Sequence, residues 1–185
     1  MPAAIQQSQM ESDRLSAIKT IDSEIRAIEE LKKSLDAESL TKALDFMQNS
    51  TGRIIITGMG KSGHIGKKIA ASLASTGTPS FFVHPAEASH GDLGMITDDD
   101  VVIAISNSGE SRELIDILNY CKRCGIKLIA ITKNQDSSLG KAGDVVLLLP
   151  NNGEACPLGL APTSSTTATL VLGDILTIRM IERKG

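Results

Sequence analysis

Five short apolar runs constrain this chain more than any other feature. Arg53-Ile-Ile-Ile-Thr57, Ser80-Phe-Phe-Val83, Val101-Val-Ile-Ala-Ile105, Lys127-Leu-Ile-Ala-Ile-Thr132 and Asp144-Val-Val-Leu-Leu-Leu149 lack the polar alternation of a half-exposed strand. Strands that read this way are covered on both faces. Helical spacing separates several of them: Ile65, Ile69 and Leu73 mark one helix, and Leu114, Leu118 and Cys121 mark another that Gly125 ends. Strands alternating with helices require right-handed crossovers and a mainly parallel sheet. The expected fold is therefore α/β, a doubly wound three-layer α-β-α sandwich around a five-stranded, mainly parallel sheet. In such a sheet the ligand crevice lies beyond the carboxyl ends of the strands, here the loops after Thr57, Val83, Ile105, Thr132 and Leu149.

The flanks read as helix. Leu15, Ile18, Ile21, Ile25, Ile28, Leu31 and Leu35 recur at spacings of three and four, with Ser8 and Glu11 as a capping box at the start of the stripe. Asp36 caps a second helix carrying Leu40, Leu44 and Met47, and Gly52 breaks the pattern. Residues 1–51 thus form an N-terminal helical extension, expected to pack on the core or on a neighbouring subunit and to take part in oligomerisation; residues 52–185 form the ligand-binding domain. The last helix, from about Ser165 to Glu182, is apolar nearly all round and is expected to be largely buried.

A chain of 185 residues fits one ordinary domain that needs no staples. A formal charge of -3 and an aromatic content of three Phe, one Tyr and no Trp argue against a nucleic-acid partner, which calls for a basic face and stacking rings. No apolar run reaches the ~18 residues of a membrane span, so no membrane partner is expected. Three cysteines and no apolar leader point to a reducing, cytoplasmic compartment. Cys121 and Cys124 sit in a helical pattern with no second ligand pair and read as a buried or incidental pair rather than a zinc site.

The first strand runs into Thr57-Gly-Met-Gly-Lys-Ser-Gly63, which has the glycine spacing of a dinucleotide site. Such a site also needs an acidic residue about 20 positions on to hold a ribose hydroxyl, and that neighbourhood holds Thr76, Gly77, Thr78 and Pro79. The nucleotide-hydrolase phosphate loop fails too, because its first glycine falls at Ile55. What survives is a glycine-rich turn feeding a helix N-terminus, a place that favours an anion, with Lys61 and Ser62 at its mouth. A second loop, Ser106-Asn-Ser-Gly-Glu-Ser111, supplies the several small converging donors that phosphate oxygens want. The plainer reading of that loop is a turn with Ser111 as helix cap.

Gly-Lys-Ser-Gly after the first strand, Ser-Asn-Ser-Gly-Glu-Ser after a later one, and the run Pro157-Leu-Gly-Leu-Ala-Pro-Thr-Ser-Ser-Thr-Thr167 together resemble a sugar isomerase (SIS) domain. More narrowly, His84-Pro-Ala-Glu-Ala-Ser-His-Gly-Asp-Leu-Gly94 with that last run is similar to the D-arabinose 5-phosphate isomerase family. The resemblance implies that Ser62, Ser106, Asn107, Ser108 and Ser111 hold a sugar phosphate, with further contacts at Gly77 and Thr78. It matches the family's functional lysine, histidine and two glutamates to Lys61, His90, Glu113 and Glu154 as catalytic residues. His84 falls where family members carry a metal-binding histidine, implying at most an inhibitory zinc. No cofactor is required, and the assembly implied is a homotetramer.

The implied reaction interconverts D-arabinose 5-phosphate and D-ribulose 5-phosphate through a cis-enediol, and its product feeds Kdo and lipopolysaccharide synthesis. Either Glu113 or Glu154 serves as base if its pKa is tuned upward, Lys61 stabilises the enediolate, and His90 opens the ring or shuttles protons. Glu110, nearer the centre of its loop, is the rival carboxylate. The family's CBS modules, and a further histidine after its last SIS helix, have no counterpart in these 185 residues. Binding is therefore expected to survive better than turnover. The rival readings are a SIS module that senses a sugar phosphate without converting it, and an isomerase for another phosphosugar.

Overall fold

The computed structural model describes residues 3–185, with side chains from Gln6 onward. The five apolar runs become strands β1 (Ile54–Gly58), β2 (Ser80–Val83), β3 (Val101–Ile105), β4 (Lys127–Thr132) and β5 (Val145–Leu148). All four neighbouring pairs are parallel, in the order β2-β1-β3-β4-β5. The helices are α1 (Ala3–Ser34), α2 (Ala37–Asn49), α3 (Gly60–Ser75), α4 (Pro85–Ala88), α5 (Ile115–Cys124), α6 (Ser138–Ala142) and α7 (Ser164–Lys184).

Why the strands read as unbroken apolar runs is plain from the two cores. Ile54, Ile56 and Ile103 bury against Leu44 and Met47 of α2, Leu73 of α3 and Leu172 and Leu176 of α7. Ile55, Val102 and Ala104 bury on the other face, against Ala88, Ile117 and Leu139 of α4, α5 and α6. The chain winds from β1 to β2 with α3 on the first face, then from β3 to β4 and β5 with α5 and α6 on the second. Its direction therefore reverses between β1 and β3. That reversal is where an open parallel sheet leaves a crevice at its carboxyl edge. Close approach of α3 and α7 depends on Gly173, where a Cβ would run into the side chain of Ile69.

Several expectations need correcting. Ser8 does not cap α1, because the helix already runs from Ala3 through residues of good helix propensity, and Glu11 instead pairs with Arg14. Asp36 does cap α2, accepting from the Ser39 N–H at 2.8 Å. Only the end of α1's apolar stripe packs on this chain's own core: Leu31 is buried, as is Ala27 one turn before it, while Leu15, Ile18, Ile21, Ile25 and Ile28 stay exposed. The last helix is only half covered: Leu172, Leu176 and Met180 are buried, but Ile178 is 52% and Ile181 41% exposed. No helix among the described residues is long and apolar enough to cross a membrane. Cys121 is buried, and burial pushes its thiol up to about 12, whereas Cys124 is exposed at the end of α5.

At the opposite, amino edge of the sheet, the buried Asp100 carboxylate ties strand starts together. It accepts from the Arg53 N–H at 2.7 Å, the Thr97 N–H at 2.8 Å and the Thr97 hydroxyl at 3.1 Å, and pairs with the Arg53 guanidinium at 3.3 Å. Burial pushes its carboxyl up, but these bonds outweigh burial and hold it below the usual range. A carboxyl lowered by folding stabilises fully above its unfolded pKa of about 3.9 and loses that contribution as pH falls through the folded value. Asp100→Asn should therefore cost about 1.5–3 kcal/mol at pH 7, the worth of a hydrogen bond to a charged group. In denaturant titrations the gap to wild type should narrow as pH drops below about 4.

Candidate active site

β1 and β3 are neighbours with Gly58 opposite Ile105, so the glycine-rich loop and the serine loop leave adjacent strand ends on the same edge. The glycine-rich loop enters α3 directly. Met59 at its N-cap offers no side-chain hydrogen bond, so the first turn of a 16-residue helix keeps its amide donors free for an anion. Lys61 and Ser62 sit in that turn, Lys61 exposed and Ser62 half-buried. Among the described residues no carboxylate pairs with the Lys61 ammonium.

The serine loop is folded on itself. Ser106 is buried; its hydroxyl accepts from the Gly109 N–H at 3.1 Å and shares a 2.9 Å hydrogen bond with the Ser111 hydroxyl. The Ser108 hydroxyl accepts from the Glu110 N–H at 3.2 Å. A hydroxyl that accepts from an amide keeps its own proton to donate. Ser111 occupies the N-cap position of the 3-10 turn Arg112–Leu114, as the plainer reading has it, but its side chain makes no capping bond there.

Glu154, beyond β5, holds the start of α7. Its Oε2 accepts from the Thr163 N–H (2.8 Å), the Thr163 hydroxyl (3.1 Å) and the Ser165 N–H (3.2 Å). Oε1 has no hydrogen-bond partner among the described residues. Burial pushes the carboxyl up, yet the bonds from Ser165 and Thr163 prevail and hold it below the ordinary value. That is opposite in sense to the upward tuning expected of a base. Glu154 lines a cavity of about 200 Å³ with Asn107, Lys133, Asn152 and Ser165. Helix α1 forms part of its wall through Ala27, and it is fastened there by Asn152 donating to the Arg26 carbonyl, by Ser23 bonded to Ser164, and by Thr167 donating to Glu24. A larger cavity, about 530 Å³ between α2 and β5, holds none of the motif residues.

The remaining sequence candidates divide. Glu113 lies exposed in the 3-10 turn after the serine loop, and α4 packs on that turn, which brings the segment ending in His90 toward it. Glu110 is committed elsewhere: its two oxygens accept from the Ser138 N–H (2.9 Å) and hydroxyl (2.7 Å), and the bonds from Ser138 hold its pKa down. Gly77 and Thr78 precede β2 and bond to Lys184, at the far end of α7 from Glu154. Within one chain they lie at the amino edge and do not join the serine loops, because the α3–β2 connection turns back there. His84 accepts from the Ala86 N–H at 3.3 Å, and among the described residues no three metal-ligating side chains cluster. The cavity does not include Lys61, His90 or Glu113. Lys133, Asn151, Asn152 and the α1 wall were missed by sequence reasoning; only the Asn151-Asn152 pair next to Glu154 offered a signal.

The SIS domain family pattern matches residues 47–179. The chain belongs to the SIS domain family. The arabinose 5-phosphate isomerase KdsD of Pseudomonas aeruginosa is 56% identical over 170 residues, 92% of this chain and 52% of the relative. The protein of the same name from Francisella tularensis is 56% identical over 173 residues, 92% of this chain and 53% of the relative. This SIS domain chain thus spans about half the length of the curated relatives it matches. The structure of the Escherichia coli CFT073 protein c3406, solved in complex with arabinose 5-phosphate, superposes with a TM-score of 0.88 at 43% identity, covering 94% of this chain and 92% of that one.

The serine loop of this SIS domain depends on Gly109. Its φ of +74° is left-handed, and a Cβ there would strike the Ser137 side chain and approach the Thr132 hydroxyl to 2.9 Å. Gly109→Ala should lose more than about 1 kcal/mol of stability from the left-handed backbone alone. Denaturant titration checks the stability loss, and calorimetry should show inorganic phosphate binding weakened in the same variant.

Proposed function

We propose that this chain is the sugar-phosphate domain of an aldose–ketose isomerase interconverting D-arabinose 5-phosphate and D-ribulose 5-phosphate through a cis-enediol. The observation that carries this reading is the pairing of the serine loop with the uncapped first turn of α3 on adjacent strand ends, beside the carboxylate of Glu154. Ser62, Ser106, Ser108 and Ser111 hold the phosphate, with one proton of the Ser106–Ser111 pair spent on their shared hydrogen bond and the others available to donate, and Asn107 continues the loop toward the carbon chain. KdsD relatives carry the named activity and the c3406 structure carries the named ligand, which supports the substrate class.

Isomerisation needs one base and one polarising group. Glu154 takes the proton from C2 of the aldose on Oε1 and returns it to C1, its Oε2 anchored by the first turn of α7. Its lowered pKa keeps it ionised at neutral pH and so able to accept a proton, though as a weaker base than the upward tuning expected from the sequence would give. Lys61 stabilises the oxygen of the enediolate, the preorganised electrostatic role that often carries the largest share of rate enhancement. His90 and Glu113 move protons between O1 and O2 and open the ring. The reaction shifts a proton and two electrons within one carbon chain, so it needs no external oxidant and no resident cofactor, and His84 takes no part.

A homotetramer in the cytoplasm suits the exposed apolar stripes of α1 and α7, and the product belongs to Kdo and lipopolysaccharide synthesis. In this division of labour the extension up to residue 51 braces the Glu154 wall and serves assembly, while residues 52–185 bind the substrate. The presence of Lys61, His90, Glu113 and Glu154 together favours turnover over sensing, because a sensor needs only the serine loops.

Lys61→Ala should abolish ribulose 5-phosphate formation in a coupled assay while the melting temperature stays that of wild type. Wild-type turnover in that variant would remove Lys61 from the site. Ser106→Ala and Ser108→Ala should each weaken phosphosugar binding by about 1.5–3 kcal/mol, read by calorimetry. Unaltered affinity would count against the cradle, and binding without any turnover in wild type would favour the sensing module.

A further inference from the structure

The strand order places three loops in a row. Lys61 follows β1, the serine loop follows β3, and Lys133 follows β4, so one lysine stands in the loop on either side of the serine loop. Among the described residues neither lysine pairs with a carboxylate. Lys133 is fixed relative to the loop: its backbone N–H donates to the Asn107 carbonyl at 3.1 Å, and the neighbouring Thr132 hydroxyl donates to the same carbonyl at 3.3 Å. Lys133 and Asn107 then line the cavity that holds Glu154.

We propose that Lys133 is a specificity-determining residue that holds the hydroxyl-bearing carbon chain of the phosphosugar in the Glu154 cavity; this deepens the sugar-phosphate reading above and rests on it. The first support is an unmet polar atom. Asn107 Oδ1 is buried and has no hydrogen-bond partner, a situation that is unfavourable until a donor arrives. The second is the lining itself. Lys133, Glu154, Asn107, Asn151 and Asn152 all line the cavity, and side chains of these types carry both donors and acceptors, which is what a polyol uses.

Charge decides which end of the substrate enters. A phosphate dianion in this cavity would face Glu154, which is held ionised, whereas α3's free amides, Lys61 and the serine hydroxyls lie outside it. Like charges repel in a partly enclosed site, so the orientation that keeps the phosphate at α3 is favoured. The neutral polyol meets no such penalty. Lys133 therefore discriminates by hydrogen bonding to sugar hydroxyls rather than by attracting phosphate.

The test is calorimetric titration of wild type, Lys133→Met and Lys133→Arg with arabinose 5-phosphate and, separately, with inorganic phosphate. Lys133 is exposed, so both variants should melt with wild type. The expected result is about a tenfold loss of arabinose 5-phosphate affinity in Lys133→Met, equal to about 1.4 kcal/mol, with inorganic phosphate within twofold and partial recovery in Lys133→Arg. Equal losses for both ligands would reduce Lys133 to general electrostatic attraction, and no loss for either would make it a solvated lysine; each overturns the proposal. Wild type that binds inorganic phosphate but not arabinose 5-phosphate would instead overturn the sugar-phosphate reading, and the subsite with it.

Discussion

The parallel pairing of β1 with β3 is the constraint on which the rest of the structure depends. It sets Gly58 beside Ile105 and makes the chain wind away in opposite directions from that point, with α3 on one face and α5 on the other. No crossover then covers the gap between the two strand ends. The glycine-rich turn and the serine loop share an edge because those strands share hydrogen bonds, and nothing in either loop has to bring them together. Ile56 and Ile103 on one face, with Ile55 and Val102 on the other, anchor both strands and so hold the loops in register.

Most of the sheet was legible because burial on both faces leaves a signature that no surface strand shares. Strand limits moved by a residue where a polar side chain intervened: Arg53 turns to Asp100 instead of joining β1, and Asp144 accepts from Leu128 N–H instead of joining β5. The helical flanks were less legible. Periodicity in α1 reports apolar spacing but not what the stripe faces: within this chain Leu31 joins the core, while Leu15 to Ile28 of the same stripe stay exposed. The same holds for α7, whose uniform apolarity hides an inner face of Leu172, Leu176 and Met180 and an outer face left open at Ile178 and Ile181. α4 and α6 are too short for a periodic signal.

In the candidate site, the sequence shows which residues sit in loop motifs but not which of them are drawn to partners distant in sequence. Glu110 and Glu113 look equivalent along the chain, and only the approach of Ser138, 28 residues on, separates them. Gly77 and Thr78 matched a family position, but the end of α3 and the start of β2 put them beside Lys184. Lys133 is a plain loop lysine in sequence. Its backbone bond to Asn107 across β3 and β4 is what brings it into the cavity.

The two free helix starts are used differently, and that difference orients the ligand. The first turn of α7 spends its amides on Glu154, so its positive end is already compensated within the chain. The first turn of α3 has no side-chain cap and keeps its donors beside a serine loop that is already folded, with amide bonds to Ser106 and Ser108. An anion entering this crevice therefore gains most at α3 and is turned away from Glu154, which carries like charge. The proposed alignment of a phosphosugar, phosphate between β1 and β3 and carbon chain toward β4 and β5, follows from that asymmetry and precedes any catalytic step. Preorganisation of this kind lowers the cost of ordering both loop and ligand on binding, and it makes the direction of entry a property of where helix dipoles have and have not been neutralised.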